Sequence, residues 1–247
     1  MIKLEKTKVY GWEEAIRGMR NPKNSWDRSD SETITSVLKM EEVCPGIEAH
    51  VYEPCVPYTS VGEKDHELMM KLAAGGPVHA KYRRMIAVYV DITAPLYWWK
   101  EFDTYKVGTV ANSCSTMHKI HAKPFEFGDF SYEHLSDANL KVLEYMIEVL
   151  NGERNKFIEG KDKDDWWQMI QLLPSSYNQK RTVMLNYEVL AGLYPMRKNH
   201  KLDEWHVFCD WIEKLPYSEI IIGSESVRFA KIGEQIAKGF TDGIKEN

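Results

Sequence analysis

The chain has 247 residues, 43% of them hydrophobic and 12% aromatic, which is enough apolar surface for a sizeable core and too much for an intrinsically disordered chain. Its 32 Lys and Arg against 37 Asp and Glu give a formal net charge of −5, which argues against a protein that coats nucleic acid while leaving room for a local basic pocket. It has no apolar run of about 18 residues and no apolar leader in Met1 to Val9, so neither a membrane nor a nucleic acid is expected as a partner, and a cytoplasmic location is.

Ile2 to Tyr10 reads as a short strand and Trp12 to Arg20 as a helix, closed by the turn residues Asn21 to Ser25. Arg17 and Arg20 are three apart and share a helix face, which meets phosphates or, in the plainer reading, solvent. Asp30 to Glu32 opens a short helix ending near Val43, Cys44-Pro45-Gly46 turns the chain, and Ile47 to Thr59, with Pro54 and Pro57, is extended or looped. His66 to Ala74 has helical spacing and stops at Gly75-Gly76-Pro77. Arg83 to Asp91, rich in Ile, Val and Tyr, is the strongest strand signal.

The stretch that follows organises the rest. Pro95 suits a first helical turn, and the helix is expected to run to about Lys106. Gly108 then frees the backbone, and Asn112, Ser113, Cys114, Ser115 and Thr116 form a segment of amide, hydroxyl and thiol groups. Such a segment hydrogen-bonds an anionic or heterocyclic ligand, or is a turn after a buried helix. Cys114 is either a nucleophile, if a cation such as Lys106 stabilises its thiolate, or a small residue filling a pocket.

Beyond it, His121 to Phe130 is a connection, and a helix from Ser136 carries Leu140, Leu143, Ile147 and Leu150 at helical spacing before Asn151-Gly152 ends it. Lys161 to Asp165 starts another helix, with acidic residues at the positive end of its dipole, and Pro174 interrupts the apolar Trp166 to Leu173. A long helix from Gln179 to about Met196 contains Asn186, Leu202 to Leu215 is amphipathic, and Ser218 to Ile222 with Val227 to Phe240 close the chain. Cys44, Cys55, Cys114 and Cys209 show no CxxC pair and no His at zinc spacing, so free thiols and no metal site are expected.

The order of these pieces resembles the flavin-dependent thymidylate synthases, the ThyX family, across most of residues 1–247, read as a single domain. Ala15-Ile16-Arg17-Gly18-Met19-Arg20 fits the family's Ala-x-Arg-x-x-Arg helix, His79 stands at the first His of its loop, and Ala94-Pro95 matches its Ala-Pro helix start. Leu173-Pro174, Asn186 and Arg197 match a Leu-Pro, a flavin-contacting Asn and a phosphate-binding Arg. The signature departs: Thr104-Tyr105-Lys106, seven residues and Cys114 stand where the family has Arg-His-Arg, seven residues and Ser, while Ala80 to Arg84 replaces Glu-Thr-Pro-Phe-Glu. Loss of two forked guanidinium groups removes bidentate phosphate recognition, which Lys does not replace.

The resemblance implies an α+β, ThyX-like (thymidylate synthase-complementing) fold with mixed helices and a small sheet, assembled as a homotetramer. It implies methylation of dUMP or a related pyrimidine deoxynucleotide, with methylenetetrahydrofolate as carbon donor, reduced FAD as hydride donor and NADPH as co-substrate. The residues it singles out are Cys114 and Lys106 for catalysis, and His79, Tyr105, Lys106, Asn186 and Arg197 for the flavin. Arg17, Arg20, Glu101, Asn112, Ser113, Ser115 and Arg197 fall to the nucleotide. The eroded signature leaves a second reading open, a non-catalytic nucleotide-binding or assembly protein on the same scaffold. From the residues alone, Tyr105 stacks on a ligand or belongs to the core, and His79 and His200 are polar contacts or structural histidines.

Overall fold

A computed structural model describes residues 1–34 and 58–223. The expected turn at Cys44-Pro45-Gly46, the closing segment Val227 to Phe240, and Cys44 and Cys55 lie outside the described residues. The contacts group the chain into two compact units, one of Met1–Val9 with Val88–Pro216 and one of Tyr10–Ala87 with Tyr217–Asn247. Helices and small sheets are mixed, as an α+β fold requires.

The first unit is built on a four-stranded sheet in the order β1-β4-β6-β5. Its strands are β1 (Lys3–Tyr10), β4 (Ala87–Pro95), β5 (Val110–Ser113) and β6 (Asn178–Asn186). Both inner strands alternate: Val88, Val90, Ile92 and Ala94 of β4 and Val183 and Leu185 of β6 are buried, while Asp91 and Thr182 point the other way. A period of two puts one apolar and one polar face on the sheet. The helix α3 (Leu96–Phe102) brings Trp98, Trp99 and Phe102 together with Trp205 and Phe208 of α8 (Asp203–Glu213), ring centroids lying 4.8 to 6.4 Å apart. A second core joins Ile120, Phe125 and Phe130 to Leu143, Ile147 and Leu150 of α5 (Asp137–Gly160) and Met169 of α6 (Lys163–Leu172).

The second unit holds α1 (Trp12–Arg20), the 3-10 turns Asn21–Lys23 and Trp26–Arg28, the antiparallel pair β2 (Glu32–Ile34) and β3 (Tyr58–Ser60), and α2 (Glu63–Ala74). Gly11 precedes α1 at φ 92, where a Cβ would lie 2.1 Å from the Met85 carbonyl oxygen. Only glycine admits that approach. The short helix α9 (Glu219–Ile222) returns to this unit, with His66 of α2 against Glu219 at 2.8 Å.

Several expectations are corrected. Glu32–Ile34 is a strand and not the start of a helix, paired to Tyr58–Ser60 with Thr33 opposite Thr59. Lys81–Met85 is a 3-10 turn, so the strand signal at Arg83 begins only at Ala87. Pro95 caps α3 from outside in an extended conformation, and the helix stops at Phe102, four residues short of Lys106. Asn151-Gly152 does not end α5, which runs on to Gly160, and the Asn151 side chain bonds the Phe125 backbone, its Oδ1 accepting at 2.8 Å and its Nδ2 donating at 2.9 Å. Gln179 to Asn186 is the strand β6, with α7 (Tyr187–Arg197) starting only after it. There tertiary pairing overrides the helical pattern.

Candidate functional site

In the first unit the predicted residues fall into two clusters. One surrounds Glu101. Arg197 at the end of α7 donates from Nη1 to Glu101 Oε2 and from Nε to Tyr105 Oη, both at 2.7 Å. Trp205 Nε1 donates to the same carboxylate oxygen at 2.9 Å, and His200 Nε2 lies 3.3 Å from it. The guanidinium also sits over the Trp205 ring at 4.5 Å and the Tyr105 ring at 5.4 Å. Three of the residues singled out from sequence, Glu101, Tyr105 and Arg197, are thus brought together, but by contacts with one another. Arg197 is only 16% exposed at its side chain.

The other cluster is the polar sheet face. The expected polar loop is in part the strand β5, antiparallel to β6, with Asn112 opposite Thr182 and Ser113 opposite Arg181. All four residues of β5 are exposed, and so are Cys114 and Ser115. Directly opposed residues share a face, so Asn112 stands over Thr182, whose hydroxyl donates to Asp91 Oδ1 at 2.7 Å. Lys180 Nζ lies 3.2 Å from Asp91 Oδ2, and Lys6 Nζ 3.7 Å from it. The hydrogen bond from Thr182 and that from Lys180 hold the Asp91 carboxyl below the usual carboxylate range. Asp91 in turn holds Lys180 above its ordinary value, with smaller contributions from Glu5 and Cys114.

Cys114 is exposed at the end of this strand. Its backbone is fixed from both sides: its N–H donates to Lys180 O at 2.9 Å, and its carbonyl accepts from Gln179 Nε2 at 3.0 Å. Gln179 Oε1 accepts from Arg181 Nε, and Arg181 pairs with Asp103 at 2.7 Å while lying over Trp99 at 4.1 Å. Ser115 Oγ caps the short helix α4 (Thr116–Lys119) by accepting from His118 N at 3.0 Å. Lys106 is exposed in the turn after α3. Gly108 follows at φ 78, where a Cβ would meet Val189 Cγ2 at 3.0 Å and Asn186 Nδ2 at 3.1 Å. Asn186 caps α7, its Oδ1 accepting from Val189 N at 3.0 Å.

Arg17, Arg20 and His79 belong to the second unit. Arg20 is not on a solvated face. It is 4% exposed and donates from Nε to Asp65 Oδ1 at 2.5 Å and from Nη1 to Ser25 O at 3.2 Å. Burial alone would raise the Asp65 pKa, but hydrogen bonds from Ser29, Ser31 and Arg20 outweigh it and hold the carboxyl below its usual range. Arg17 remains exposed, 3.4 Å from Glu13 one turn earlier. Both arginines line a cavity of about 260 Å³ with Ile16, Trp26, Ser31 and Thr59. His79 is exposed beside Gly75.

Lys180, Thr182, Asp91, Gln179 and Arg181 were not among the residues read from sequence. The signal was present in the alternation of NQKRTVMLN, where Gln179, Val183 and Leu185 turn inward.

No family model matches the sequence, and no curated protein sequence matches it. The fold is nevertheless shared along nearly the whole chain. The flavin-dependent thymidylate synthase ThyX from Helicobacter pylori, solved complexed with FAD and dUMP, superposes with a TM-score of 0.60 at 16% identity, covering 90% of this chain and 98% of that one. Another structure of that enzyme with the same two ligands gives a TM-score of 0.60 at 17% identity over 91% and 98%. The UMP/dUMP methylase PolB from Streptomyces cacaoi, bound with 5-Br UMP, gives 0.53 at 11% identity over 86% and 88%. The chain therefore has the ThyX fold, in a sequence that has diverged far from both.

Proposed function

We propose that this chain binds a pyrimidine nucleotide and methylates it, acting on dUMP or a related pyrimidine deoxynucleotide with methylenetetrahydrofolate as carbon donor, reduced FAD as hydride donor and NADPH as co-substrate. The observation that carries the reading is the chain-wide likeness to two kinds of enzyme solved with dUMP or a UMP analogue. The polar sheet face supports it. Asn112 offers an amide to the base from that face, Cys114 lies on the strand beside Lys180, and Ser115 offers a hydroxyl, while Ser113, opposite Arg181, belongs to the other face. Addition of the Cys114 thiolate to C6 of a pyrimidine breaks the C5–C6 π bond and places the electron pair on C5 and O4, making C5 nucleophilic toward a one-carbon donor. Lys180, whose carbonyl accepts from the Cys114 N–H, is the neighbouring cation on the strand, in place of the expected Lys106. A homotetramer, at four times the 28.8 kDa chain, belongs to the same proposal.

The residues assigned to the flavin do not fit it as they are arranged. Arg197 and Tyr105 bond each other, Arg197 is closed by Glu101, and the Asn186 carbonyl caps a helix. Lys106 and His79 alone of that set are exposed. The hydride from reduced FAD is therefore assigned to no residue of this set. This arrangement favours a second reading, a nucleotide-binding or assembly protein that keeps the scaffold without the reaction. Incubation with FAD, dUMP, methylenetetrahydrofolate and NADPH separates the two by mass spectrometry of the nucleotide. Formation of a methylated product, lost in Cys114→Ala, is the expected result. Protein that stays colourless with added FAD and yields no product, yet is stabilised by dUMP, leaves the binding role. Absence of any thermal shift with dUMP overturns both.

A further inference from the structure

A groove in the second unit carries a different chemistry from anything above. It has a volume of about 600 Å³ and lies between the two 3-10 turns and the first turn of α2. Lys23, Arg28 and Lys64 line it, with Asp27 as the one acidic side chain and Leu68 as the apolar one. All three cations are exposed, and none is ion-paired among the described residues. Arg20, which also lines the groove, is neutralised by Asp65 and contributes a wall in place of a charge. In a chain with net charge −5, three cations against one carboxylate around one concavity is a local reversal of sign.

The frame of the groove is fixed. Arg20 holds the Ser25 carbonyl at 3.2 Å, Ser25 N donates back to Arg20 O at 3.3 Å, and Asn24 adopts a left-handed conformation at φ 46. Asn24 and Ser25 add an amide and a hydroxyl to the lining. In the first turn of α2, Lys64 N and Asp65 N already donate to the Asp30 carboxylate, at 2.9 and 3.2 Å, so the attraction rests on side chains.

We infer that this groove binds the pyrophosphate group of a phosphorylated small molecule, either free pyrophosphate or a nucleoside triphosphate. Two separated ammonium groups and one forked guanidinium match adjoining phosphates, whose oxygens take charge-assisted hydrogen bonds. The volume fits a nucleotide-sized ligand, and the mostly polar, cationic lining favours a phosphorylated one. The site is independent of the pyrimidine reading, because its cations Lys23, Arg28 and Lys64 have no part in that reaction and Arg20 is closed by Asp65.

Calorimetric titration of the full chain with inorganic pyrophosphate at low salt tests it. Binding is expected that weakens with added salt and falls roughly tenfold for each contact removed in Lys23→Gln, Lys64→Gln and Arg28→Gln, while Lys141→Gln, on α5, binds as the parent does. Unchanged melting temperatures of these exposed variants establish that the fold is intact. Displacement of pyrophosphate by ATP identifies a nucleotide as the carrier, and no displacement identifies the free ion. No binding by the parent chain, or equal binding by the three variants and the parent, overturns the inference.

Discussion

Arg20 shows how burial changes the meaning of a charged residue. On the helix surface it would be available to a phosphate, but here its guanidinium is closed against Asp65, a carboxylate fully enclosed and hydrogen-bonded also by Ser29 Oγ at 2.6 Å and Ser31 Oγ at 2.7 Å. Removing one partner of such a pair leaves a buried charge unmatched, so Asp65→Ala is expected to lose about 3–5 kcal/mol in denaturant melts. The pair also fixes an acid dependence. Asp65 ionises below its ordinary 3.8, so its stabilisation is present above that value and is lost as the pH falls through the lower folded one. Melts of the parent chain between pH 7 and pH 3 should show this loss, and Asp65→Ala should show less of it. The two described cysteines separate in the same way. Burial, aided by Glu213 and Asp210, pushes the Cys209 thiol up to about 12, whereas Cys114 is exposed. Peptide mapping after brief iodoacetamide treatment at pH 8 should find Cys114 alkylated and Cys209 untouched until the chain is unfolded.

Elements announced by local chemistry were legible in the sequence; those decided by pairing were not. The helix at Trp12–Arg20, the one ending at Gly75-Gly76, the helix start within Lys161 to Asp165 and the amphipathic Asp203–Glu213 follow from breakers, charge and period. The strand β6 was hidden because its residues also fit a helix, and what settles it is a place between β4 and β5. With that strand went Lys180 and Thr182, so the polar face beside Cys114 could not be read, although Cys114, Asn112 and Ser113 were. Glu101, Tyr105 and Arg197 were read as ligand contacts from resemblance, and sequence spacing carried no sign that they would satisfy one another. The turn between α3 and β5 depends on Gly108, whose φ of 78 and tight approach to Val189 and Asn186 leave no room for a side chain. Gly108→Val is expected to cost about 1–3 kcal/mol from backbone strain alone. Thermal melts check it, and the parent's stability in that variant would show that the turn adjusts freely.

At the scale of the whole chain, a shared fold at 16% identity means that the scaffold tolerates replacement of most side chains while the backbone path is kept. Buried positions need only remain apolar and of fitting volume, a condition met here by Trp98, Trp99, Phe102, Trp205 and Phe208 in one core and by Leu143, Leu150 and Met169 in another. Site residues face a stricter test, because a ligand reads charge and geometry, and in this chain two arginines that resemble phosphate contacts are closed by Asp65 and Glu101. Under the proposed function, nucleotide affinity would depend on the groups left outward, among them Asn112, Ser113, Cys114 and Lys106. A ligand that binds only the folded chain stabilises it by mass action, about 2.7 kcal/mol at a hundred times its Kd, which for a chain of this size raises the melting temperature by roughly 5–10 °C. Differential scanning fluorimetry with dUMP should show that rise, and Glu101→Gln, which loosens the hold on Arg197, should enlarge it if Arg197 can then turn to the phosphate. An identical curve with and without dUMP would mean that the outward groups no longer recognise a pyrimidine nucleotide.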